Sequence, residues 1–467
     1  MKTKNATKHR SLWLQESVLE EATAPLRGDK KTDVAIIGGG YVGLWTALRI
    51  KKLDPSVSVT ILEADICGGG ASGRNGGFVL SWWPKVSTLV SLFGADEALR
   101  LVQASETAID EIGTFCDEHA PRAEFRRSGW LWTATSSAHD NSWSDVVEMS
   151  EKLGEGTFSP LSPKDVASQS GSPVHLSGTF ERSAATVHPG HLVRALRRVA
   201  IENGVEIFEN TRVRRLRRRG IPRLTTAEGV LTADKVIVAT NAWAAGMHEL
   251  HTRLFVISSD MIATEPAPER LADIGWQSGP SITDSQTLVC YYRTTEAGRV
   301  AFGKGGWAIG LGGWMPPAME RSGSRADMVK RDFHRYYPML RDLKVTHDWA
   351  GPIDRTYNSL PIINWLNKER TIAYGVGWSG NGVGPSVVGG KMLASLVLGR
   401  DDEWSNAGLV DAPTKHFPPD PIRYVGAHIV REAIVRKERS EALELRPGRI
   451  ANAFSKFAPS GLEDKAN

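Results

Sequence analysis

A short apolar strand that runs directly into a glycine-rich turn constrains this chain more than any other feature. After Asp33, the strand residues up to position 37 are apolar, and Gly38, Gly40 and Gly43 then occupy the positions of a G-x-G-x-x-G motif. The first glycine permits a tight turn, the second lets the backbone approach a pyrophosphate, and the third lets helix and strand pack closely. The free N–H groups at the start of the following helix would face the phosphates.

A second strand and an acidic residue extend this pattern. The segment 57–62 is predicted to be a strand, and Glu63 follows it, 20 residues after Gly43. An acidic residue at this distance is typical of one that binds a ribose hydroxyl of a dinucleotide. Strand, glycines, helix, strand and acid in this order predict a dinucleotide site. The alternative is a glycine-rich turn without a ligand.

Composition narrows the class of protein. The chain has 467 residues, enough for two or three domains, and its net charge of +4 gives no general argument for nucleic acid. Its three cysteines are Cys67, Cys116 and Cys290, which predicts a reducing compartment without disulfides, and no Cys/His cluster indicates a metal. The basic N-terminus lacks the apolar run of a secretory signal, and no segment is apolar enough to span a bilayer. We therefore expect a cytoplasmic protein.

Alternating helices and strands predict an α/β fold with two domains, α+β overall. We assign residues 1–30 to an N-terminal arm, and 31–105, 180–250 and 345–400 to a discontinuous, Rossmann-like dinucleotide domain. Residues 106–179 and 251–344 form a second domain, mostly an antiparallel sheet. The tail, 401–467, contains a predicted amphipathic helix over 422–443 with an apolar stripe of Ile422, Val425, Ile429, Ala433 and Ile434. This stripe docks on the protein's own surface, or else serves a membrane surface or a homodimer.

Five motifs together carry a family resemblance. They are Gly38–Gly43 with Glu63, Ala71–Gly77, Val236–Asn241, Trp349–Asp354 and Gly377–Val383. In order and spacing they resemble the D-amino-acid oxidase (DAO-type) family of FAD-dependent oxidoreductases, in particular the branch named after gamma-glutamylputrescine oxidoreductase. The resemblance covers roughly residues 10 to 400 and implies a Rossmann-like FAD-binding domain with a mostly antiparallel substrate domain. It is more specific for fold and cofactor than for substrate.

The resemblance also implies roles for individual residues. Glu63 would hold the adenosine ribose, residues 72–76 would follow the pyrophosphate, ribityl chain and flavin ring, and Val213 would contact the adenine side. Residues 239–240 would close over the pyrophosphate, and the backbone N–H groups of residues 379–382 would stabilise negative charge on the reduced flavin. The full set of predicted FAD-binding residues is Gly38, Gly40, Tyr41, Val42, Gly43, Glu63, Ala64, Ala71, Ser72, Gly73, Arg74, Asn75, Gly76, Gly77, Val213, Ala239, Thr240, Asn241, Trp243, Gly377, Ser379, Gly380, Asn381, Gly382 and Val383.

Two positions depart from the family pattern. Asn381 stands where many relatives have His, and it donates a hydrogen bond but does not titrate. Asn358 stands where relatives often have Asp. Some relatives attach the flavin covalently through Cys or His, and Cys67 lies close to the corresponding loop. Nothing in the sequence requires such a bond, so noncovalent FAD is favoured.

The implied chemistry is oxidation of a C–N bond in a primary or secondary amine or an N-substituted amino acid. Hydride transfer to flavin N5 requires a neutral amine in the correct orientation, so no Ser-His-Asp or paired-carboxylate constellation is expected. Reoxidation by O2 would give H2O2. The alternatives are a dehydrogenase of the same fold that uses another electron acceptor, a flavoprotein that acts on or binds RNA, and an NAD-dependent dehydrogenase. The FAD-like loop at 71–77 argues against the last of these.

Four residues are candidates for the catalytic and substrate side. An aromatic face on Tyr291 or Trp378 suits an amine cation or an alkyl chain, and Arg293 suits a carboxylate. Lys304 resembles the lysine that activates oxygen in related sarcosine oxidases. For the aromatic residues the alternative is core packing, and for Lys304 it is a surface hairpin. Tyr292, Trp82 and Trp83 are weaker candidates.

Two further patterns have ordinary explanations. A run of six arginines between positions 212 and 219 is dense enough for RNA, but it lacks interleaved aromatic residues, so no nucleic-acid partner is expected. The sequence His248-Glu-Leu-His251 is one residue shorter than the HExxH zinc motif and is interpreted as a solvated helix face.

Overall fold

We describe a computed structural model of the chain over residues 9–17, 20–276 and 279–459. Parts of the predicted arm and tail, residues 1–8, 18–19 and 460–467, lie outside the described residues. The α-helices are α1 Leu12–Ser17, α2 Tyr41–Leu53, α3 Val86–Phe93, α4 Ala95–His119, α5 Ser144–Lys152, α6 Pro163–Ser170, α7 Pro189–Glu202, α8 Pro268–Asp273, α9 Ala326–Tyr336, α10 Pro385–Val397, α11 Ile422–Glu441 and α12 Arg449–Ser455.

The strands fall into two large mixed sheets and one small antiparallel pair. They are β1 Gly28–Ile37, β2 Val59–Leu62, β3 Phe78–Val79, β4 Trp130–Ala134, β5 Phe158–Leu161, β6 Ser177–Glu181, β7 Ala185–Thr186, β8 Glu206–Phe208, β9 Arg215–Arg217, β10 Arg223–Thr225, β11 Gly229–Val238, β12 Phe255–Thr264, β13 Ser281–Asp284, β14 Cys290–Thr294, β15 Val300–Ile309, β16 Val345–Arg355, β17 Ile362–Trp365 and β18 Ile372–Val376.

The first large sheet contains the predicted dinucleotide unit. Its strand order is β17-β18-β11-β1-β2-β8, with β10 and β9 added beside β11. Strand β1 pairs in parallel with both β11 and β2, and β18 and β8 extend the parallel region on either side. The apolar ends of β1 and β2 are buried because α2, α7 and α10 pack on one face of this sheet, while β10 and residues 242–254 pack on the other. The predicted α/β class is confirmed.

The second large sheet has the strand order β16-β12-β15-β14-β13-β4-β6-β5. All of its pairs are antiparallel except β13 with β4. One boundary differs from the sequence-based assignment, which gave residues 345–400 to the dinucleotide domain. Strand β16 pairs with β12 from Val345 to Arg355 and so belongs to the second sheet over its whole length. The domain division itself otherwise stays a prediction.

The C-terminal helix docks on the second sheet by a different face from the predicted one. Ile422 and Ile429 are 66% and 50% exposed, whereas Ile434 is buried against Leu288. Tyr424 and Ala427 pack beside β12 and β15. The predicted stripe is therefore buried only at Ala433 and Ile434, and polar side chains such as Arg431, which donates to the carbonyl oxygen of Trp307 at 2.6 Å, form part of the docked face. Within the described part of the chain, no helix is both long and apolar enough to cross a membrane.

Candidate active site

The glycine turn has the close contacts that its motif predicts. A Cβ on Gly43 would lie 2.0 Å from the carbonyl oxygen of Gly38, and a Cβ on Gly38, whose φ is +113°, would lie 2.4 Å from the oxygen of Ala239. A Cβ on Gly40 would lie 2.9 Å from Ser72 Oγ. Strand, helix and the loop after β2 therefore approach one another only because these positions lack side chains.

The carboxylate of Glu63 is fixed at the end of β2. Its Oε2 accepts a hydrogen bond from the backbone N–H of Gly39 at 2.8 Å, and its Oε1 accepts one from the N–H of Asp65 at 2.8 Å. Burial raises the pKa of Glu63, and these two donors oppose the effect. The side chain is thus oriented beside the glycine turn, where a ribose hydroxyl would be bound.

The loop after β2 is held by its own hydrogen bonds and by distant carbonyl groups. Asn75 Nδ2 donates to the carbonyl oxygens of Ala71 and Ser72, and Asn75 Oδ1 accepts from the N–H of Gly77. The buried guanidinium of Arg74 donates to four backbone carbonyls, those of His9, Gly69, Glu320 and Ala350. Arg74 therefore joins the N-terminal arm, the loop and the second sheet, and the loop is preorganised by the protein alone.

Asp354, at the end of β16, connects two of the predicted cofactor segments. Its carboxylate accepts from the N–H groups of Gly377 and Trp378 at 2.5 and 3.1 Å and from Asn241 Nδ2 at 2.9 Å. Burial raises the pKa of Asp354 to about 7, against the lowering effect of these donors. Asp354 ends the Trp349–Asp354 motif of the family resemblance, for which the sequence predicts no individual role. Its signal was an acidic residue that ends a strand among glycine loops.

One cavity of about 760 Å³ joins these segments, within the range of about 300–1,000 Å³ typical of ligand sites. Four predicted cofactor residues, Gly43, Gly73, Gly77 and Gly377, do not line it and instead permit close packing behind the wall. The predicted cofactor residues that do line it are Gly38, Gly40, Tyr41, Val42, Glu63, Ala64, Ala71, Ser72, Arg74, Asn75, Gly76, Val213, Ala239, Thr240, Asn241, Trp243, Ser379, Gly380, Asn381, Gly382 and Val383.

These residues fit FAD. The cavity begins at a helix N-terminus with a side-chain-free cradle and a fixed carboxylate, and it continues to the turn before α10. Asn381 Nδ2 is engaged with the carbonyl oxygen of Ser81 at 2.8 Å, so this side chain ties two walls together. Cys67 is buried behind Gly39, and a Cβ added to Gly39 would lie 2.5 Å from Cys67 Sγ. Burial raises the pKa of the Cys67 thiol well above its ordinary value.

The four candidates for the catalytic side have different surroundings. Tyr291 lines the cavity, and its hydroxyl lies 2.7 Å from Ser259 Oγ. Trp378 lines the cavity too, but its ring packs on α10, where a Cβ on Gly389 would lie 2.3 Å from it. Arg293 is fully buried outside the lining and donates to the carbonyl oxygens of Gly76 and Val187 at 2.8 and 2.7 Å. Arg293 therefore stabilises the loop that contains Gly76 and is not placed to bind a substrate carboxylate.

Lys304 is neither in the cavity wall nor on the surface. The side chain is 6% exposed, and its Nζ lies 2.9 Å from Gln286 Oε1 and 3.3 Å from Asp332 Oδ2. Side chains alternate across a strand, so the neighbouring Gly305 lines the cavity while Lys304 points to the opposite face of β15. Burial alone would lower the pKa of Lys304, but Cys290, Asp332 and other acidic neighbours raise it. Lys304 is therefore neither in the active-site cavity, as an oxygen-activating lysine would be, nor on a surface hairpin.

Several lining residues on the second sheet had no sequence signal of their own. Ser259 on β12 and residues 287–289 of the β13–β14 loop line the cavity. Trp82 and Lys85 line it too, but they lie outside this sheet, after the loop at residues 71–77, which we call the flavin loop. Trp82 was a weak candidate, whereas Trp83 is buried outside the lining. The sequence of a strand or hairpin does not show which of its residues face the cavity, because that depends on how the two sheets pack together.

The remaining motifs lie beside the cavity, and Arg212, Arg214, Arg215, Arg218 and His248 are among its lining residues. Within the arginine run, Arg215–Arg217 form β9, and Arg218 makes an ion pair with Glu249. His248 and His251 stack in a turn and not in the predicted helix, with ring centroids 5.2 Å apart. Among the described residues no group of three or more His, Cys, Asp or Glu side chains is arranged to hold a metal ion.

Comparison with known proteins agrees with this geometry. Gamma-glutamylputrescine oxidoreductase of Escherichia coli is 27% identical over 419 residues, which cover 88% of this chain and 94% of that protein. The probable oxidoreductase OrdL of Haemophilus influenzae is 27% identical over 395 residues, covering 82% and 86% of the two chains. The crystal structure of glycine oxidase from Geobacillus kaustophilus superposes with a TM-score of 0.69 at 19% identity, covering 83% of this chain and 100% of that one.

A family profile identifies the chain independently of any single relative. The profile described as DAO, FAD dependent oxidoreductase, matches residues 33–396. This range begins in β1 and ends in α10, so it includes both large sheets and every segment of the cavity wall described above. The chain belongs to the DAO family of FAD-dependent oxidoreductases.

Proposed function

We propose that this enzyme oxidises the C–N bond of a primary or secondary amine or an N-substituted amino acid, with O2 as the electron acceptor. The observation that carries the proposal is the continuity of the cavity, which connects the dinucleotide turn at Gly38 with an aromatic and hydroxyl-bearing wall at Tyr291 and Ser259. A substrate placed there would share this cavity with the cofactor. The names of two relatives, gamma-glutamylputrescine oxidoreductase and glycine oxidase, refer to an amine and an amino acid.

The bound FAD would supply the redox chemistry by accepting a hydride equivalent from the carbon beside the amine nitrogen. The protein's contribution is binding and orientation, so a strong general base is not required when the amine is neutral. Tyr291 is well placed to orient a substrate, because its ring also contacts the flavin loop. A Cβ on Gly76 would lie 3.0 Å from this ring.

The cofactor is proposed to bind noncovalently. Cys67 is the cysteine nearest the predicted flavin loop, but its thiol lies behind Gly39 and does not line the cavity. Its pKa is raised by burial, which disfavours the nucleophilic thiolate.

The test is anaerobic reduction of the purified yellow protein by a panel of amines. The panel includes simple primary amines, gamma-glutamylputrescine, glycine and sarcosine, and bleaching of the flavin band is the readout. Bleaching by at least one amine is expected, and no bleaching by any of them would refute the proposal. Peroxide formed in air distinguishes an oxidase from a dehydrogenase that uses another acceptor.

Two adjacent tyrosines provide a matched pair of variants. Tyr291→Phe removes a hydroxyl from the cavity wall, and Tyr292→Phe removes one that lies 3.0 Å from His175 Nε2 in the core of the second domain. We expect the first to slow flavin reduction and the second to change stability without changing the order of preferred amines. Equal effects on reduction would contradict the assignment of the substrate side to Tyr291.

A further inference from the structure

The wall of the cavity includes part of a short hairpin loop, residues 285–289, between β13 and β14. Three consecutive residues of this loop, Thr287, Leu288 and Val289, line the cavity. At its base, Asp284 Oδ1 accepts from the backbone N–H groups of Gln286 and Cys290 at 3.2 and 2.9 Å. The loop therefore has a fixed base, and its tip forms part of the space that a substrate would occupy.

Helix α11, in the C-terminal tail, binds the tip of this loop. Glu438 Oε1, on α11, accepts a hydrogen bond from the backbone N–H of Leu288 at 2.7 Å. The Leu288 side chain packs against Ile434 of the same helix and against Ala458 beyond it. Both the backbone and the side chain of Leu288 are thus held by a segment that lies 150 residues away and outside the range that matches the family profile.

The position of Leu288 makes its size important. The side chain is 7% exposed and leans over Gly306, where a Cβ would lie 2.4 Å from Cδ2. Gly306 has a φ of +90° and lines the cavity as well. A leucine at the tip therefore has little room to move toward β15, and a shift of the loop would change the free space in the cavity.

We propose that Leu288 limits the size of the group carried by the substrate amine, and that Glu438 is a positioning residue that holds Leu288 in place through its backbone N–H. This inference rests on the proposed amine oxidation. The partner of Glu438 is a backbone group, so the contact specifies where the loop lies regardless of the side chain at its tip. A carboxylate that accepts from a buried backbone N–H forms a strong hydrogen bond, and its loss leaves that donor without a partner.

Hydrogen–deuterium exchange of the FAD-loaded protein tests the positioning role without reference to activity. Glu438→Ala is expected to increase exchange in peptides that cover residues 285–290 by about tenfold. Glu438→Gln retains an acceptor oxygen and should restore most of the protection. The matched control is Glu444→Ala, because Glu444 Oε1 also accepts a backbone N–H of the second domain, that of Ser137 at 3.0 Å, and Ser137 does not line the cavity.

Kinetics with amines of increasing substituent size test the specificity role. Glu438→Ala should raise KM by about tenfold with a smaller effect on kcat, and Leu288→Ala should shift the preference toward bulkier amines. Leu288→Phe should shift it toward smaller ones and keeps the loop testable if Glu438→Ala does not fold. An unchanged size preference in both Leu288 variants would overturn the specificity claim. Exchange at 285–290 that is the same in Glu438→Ala and Glu444→Ala would overturn the positioning claim.

The two proposals fail in different ways. If no amine reduces the wild-type flavin, the proposed function is wrong, while the exchange experiment still decides whether Glu438 holds the loop. If amines reduce the wild-type enzyme but neither Leu288 variant changes their order, the function stands and the specificity role of Leu288 is wrong.

Discussion

A buried carboxylate on β6 gives a prediction about stability that the structure quantifies. Glu181 is fully buried, and its Oε1 accepts hydrogen bonds from Ser81 Oγ at 3.0 Å and Ser183 Oγ at 2.7 Å. No partner of Oε2 exists among the residues that the structure describes. Burial raises the pKa of Glu181 from 4.5 to about 7, the hydroxyl donors oppose this, and nearby Glu106 adds to it.

The sign follows from the raised pKa. The folded protein binds this proton more tightly than the unfolded chain, so the stabilising contribution is complete below the unfolded pKa of 4.5 and is lost as the pH rises through about 7. The two pKa values differ by about 2.5, and at about 1.4 kcal/mol for each pKa unit the total loss is about 3 kcal/mol. About 2 kcal/mol of this change in the free energy of unfolding falls between pH 5.5 and 8.5, since the rest occurs below pH 5.5.

Glu181→Gln removes the titrating group and keeps an acceptor oxygen for both serines. Urea unfolding of the variant and the wild type, in excess FAD, gives the difference in free energy of unfolding at each pH. We expect this difference to move by about 2 kcal/mol in favour of the variant from pH 5.5 to 8.5. Glu148→Gln, at a side chain that is 64% exposed, is the control and should show no such trend. Parallel pH profiles for wild type and Glu181→Gln would show that the proton on Glu181 does not contribute to stability in this pH range.

Three further predictions concern the cofactor cradle and its supports. Gly43→Ala places a Cβ 2.0 Å from the carbonyl oxygen of Gly38, so the purified variant should lose most of its FAD absorbance, and full FAD occupancy would contradict the tight packing of this turn. The control is Gly426→Ala, at an open position on α11, which should retain FAD and gain about 0.5–1 kcal/mol of stability. Arg293→Met leaves two buried carbonyl groups without their hydrogen-bond donor, so the free energy of unfolding measured in urea should fall by about 2–5 kcal/mol. The ratio of kcat/KM for amines with and without a carboxylate should stay unchanged. A selective loss for carboxylate-bearing amines would show that Arg293 binds substrate. Acid precipitation should release all of the yellow colour into the supernatant, from wild type and from Cys67→Ser alike, and colour that stays with the wild-type pellet would show a covalent flavin.

The cofactor half of the site could be predicted because its signals are local in sequence. Gly38, Gly40 and Gly43 lie within six residues, and each glycine meets a specific neighbour that excludes a side chain. Glu63 follows one strand later, and its carboxylate accepts the backbone N–H of Gly39 in this turn. The predicted α/β class is confirmed for the same reason, since strand and helix periodicity are short-range patterns.

The predictions for β14 and β15 were less successful because they depend on which face of a strand is buried. Tyr291 and Arg293 both point toward the flavin loop, but only Tyr291 reaches the cavity, since the carbonyl groups of Gly76 and Val187 bind Arg293 behind the wall. Lys304 has the opposite register to Gly303 and Gly305 and therefore lies on the far face among acidic groups. A sequence reveals that residues alternate, but the sheet partner decides which set faces the ligand.

The substrate wall follows from contacts that no local pattern encodes. Leu288 lies in a hairpin loop without a motif, and the helix that binds it begins 26 residues after the end of the family profile, at Ile422. The helix that holds Leu288 thus lies outside the family profile, and none of its residues lines the cavity. A relative with the same cradle but a different tail helix would place its loop differently. Exchange of the tail helix, with Glu438 and Ile434, should therefore alter which amine is accepted while FAD binding persists.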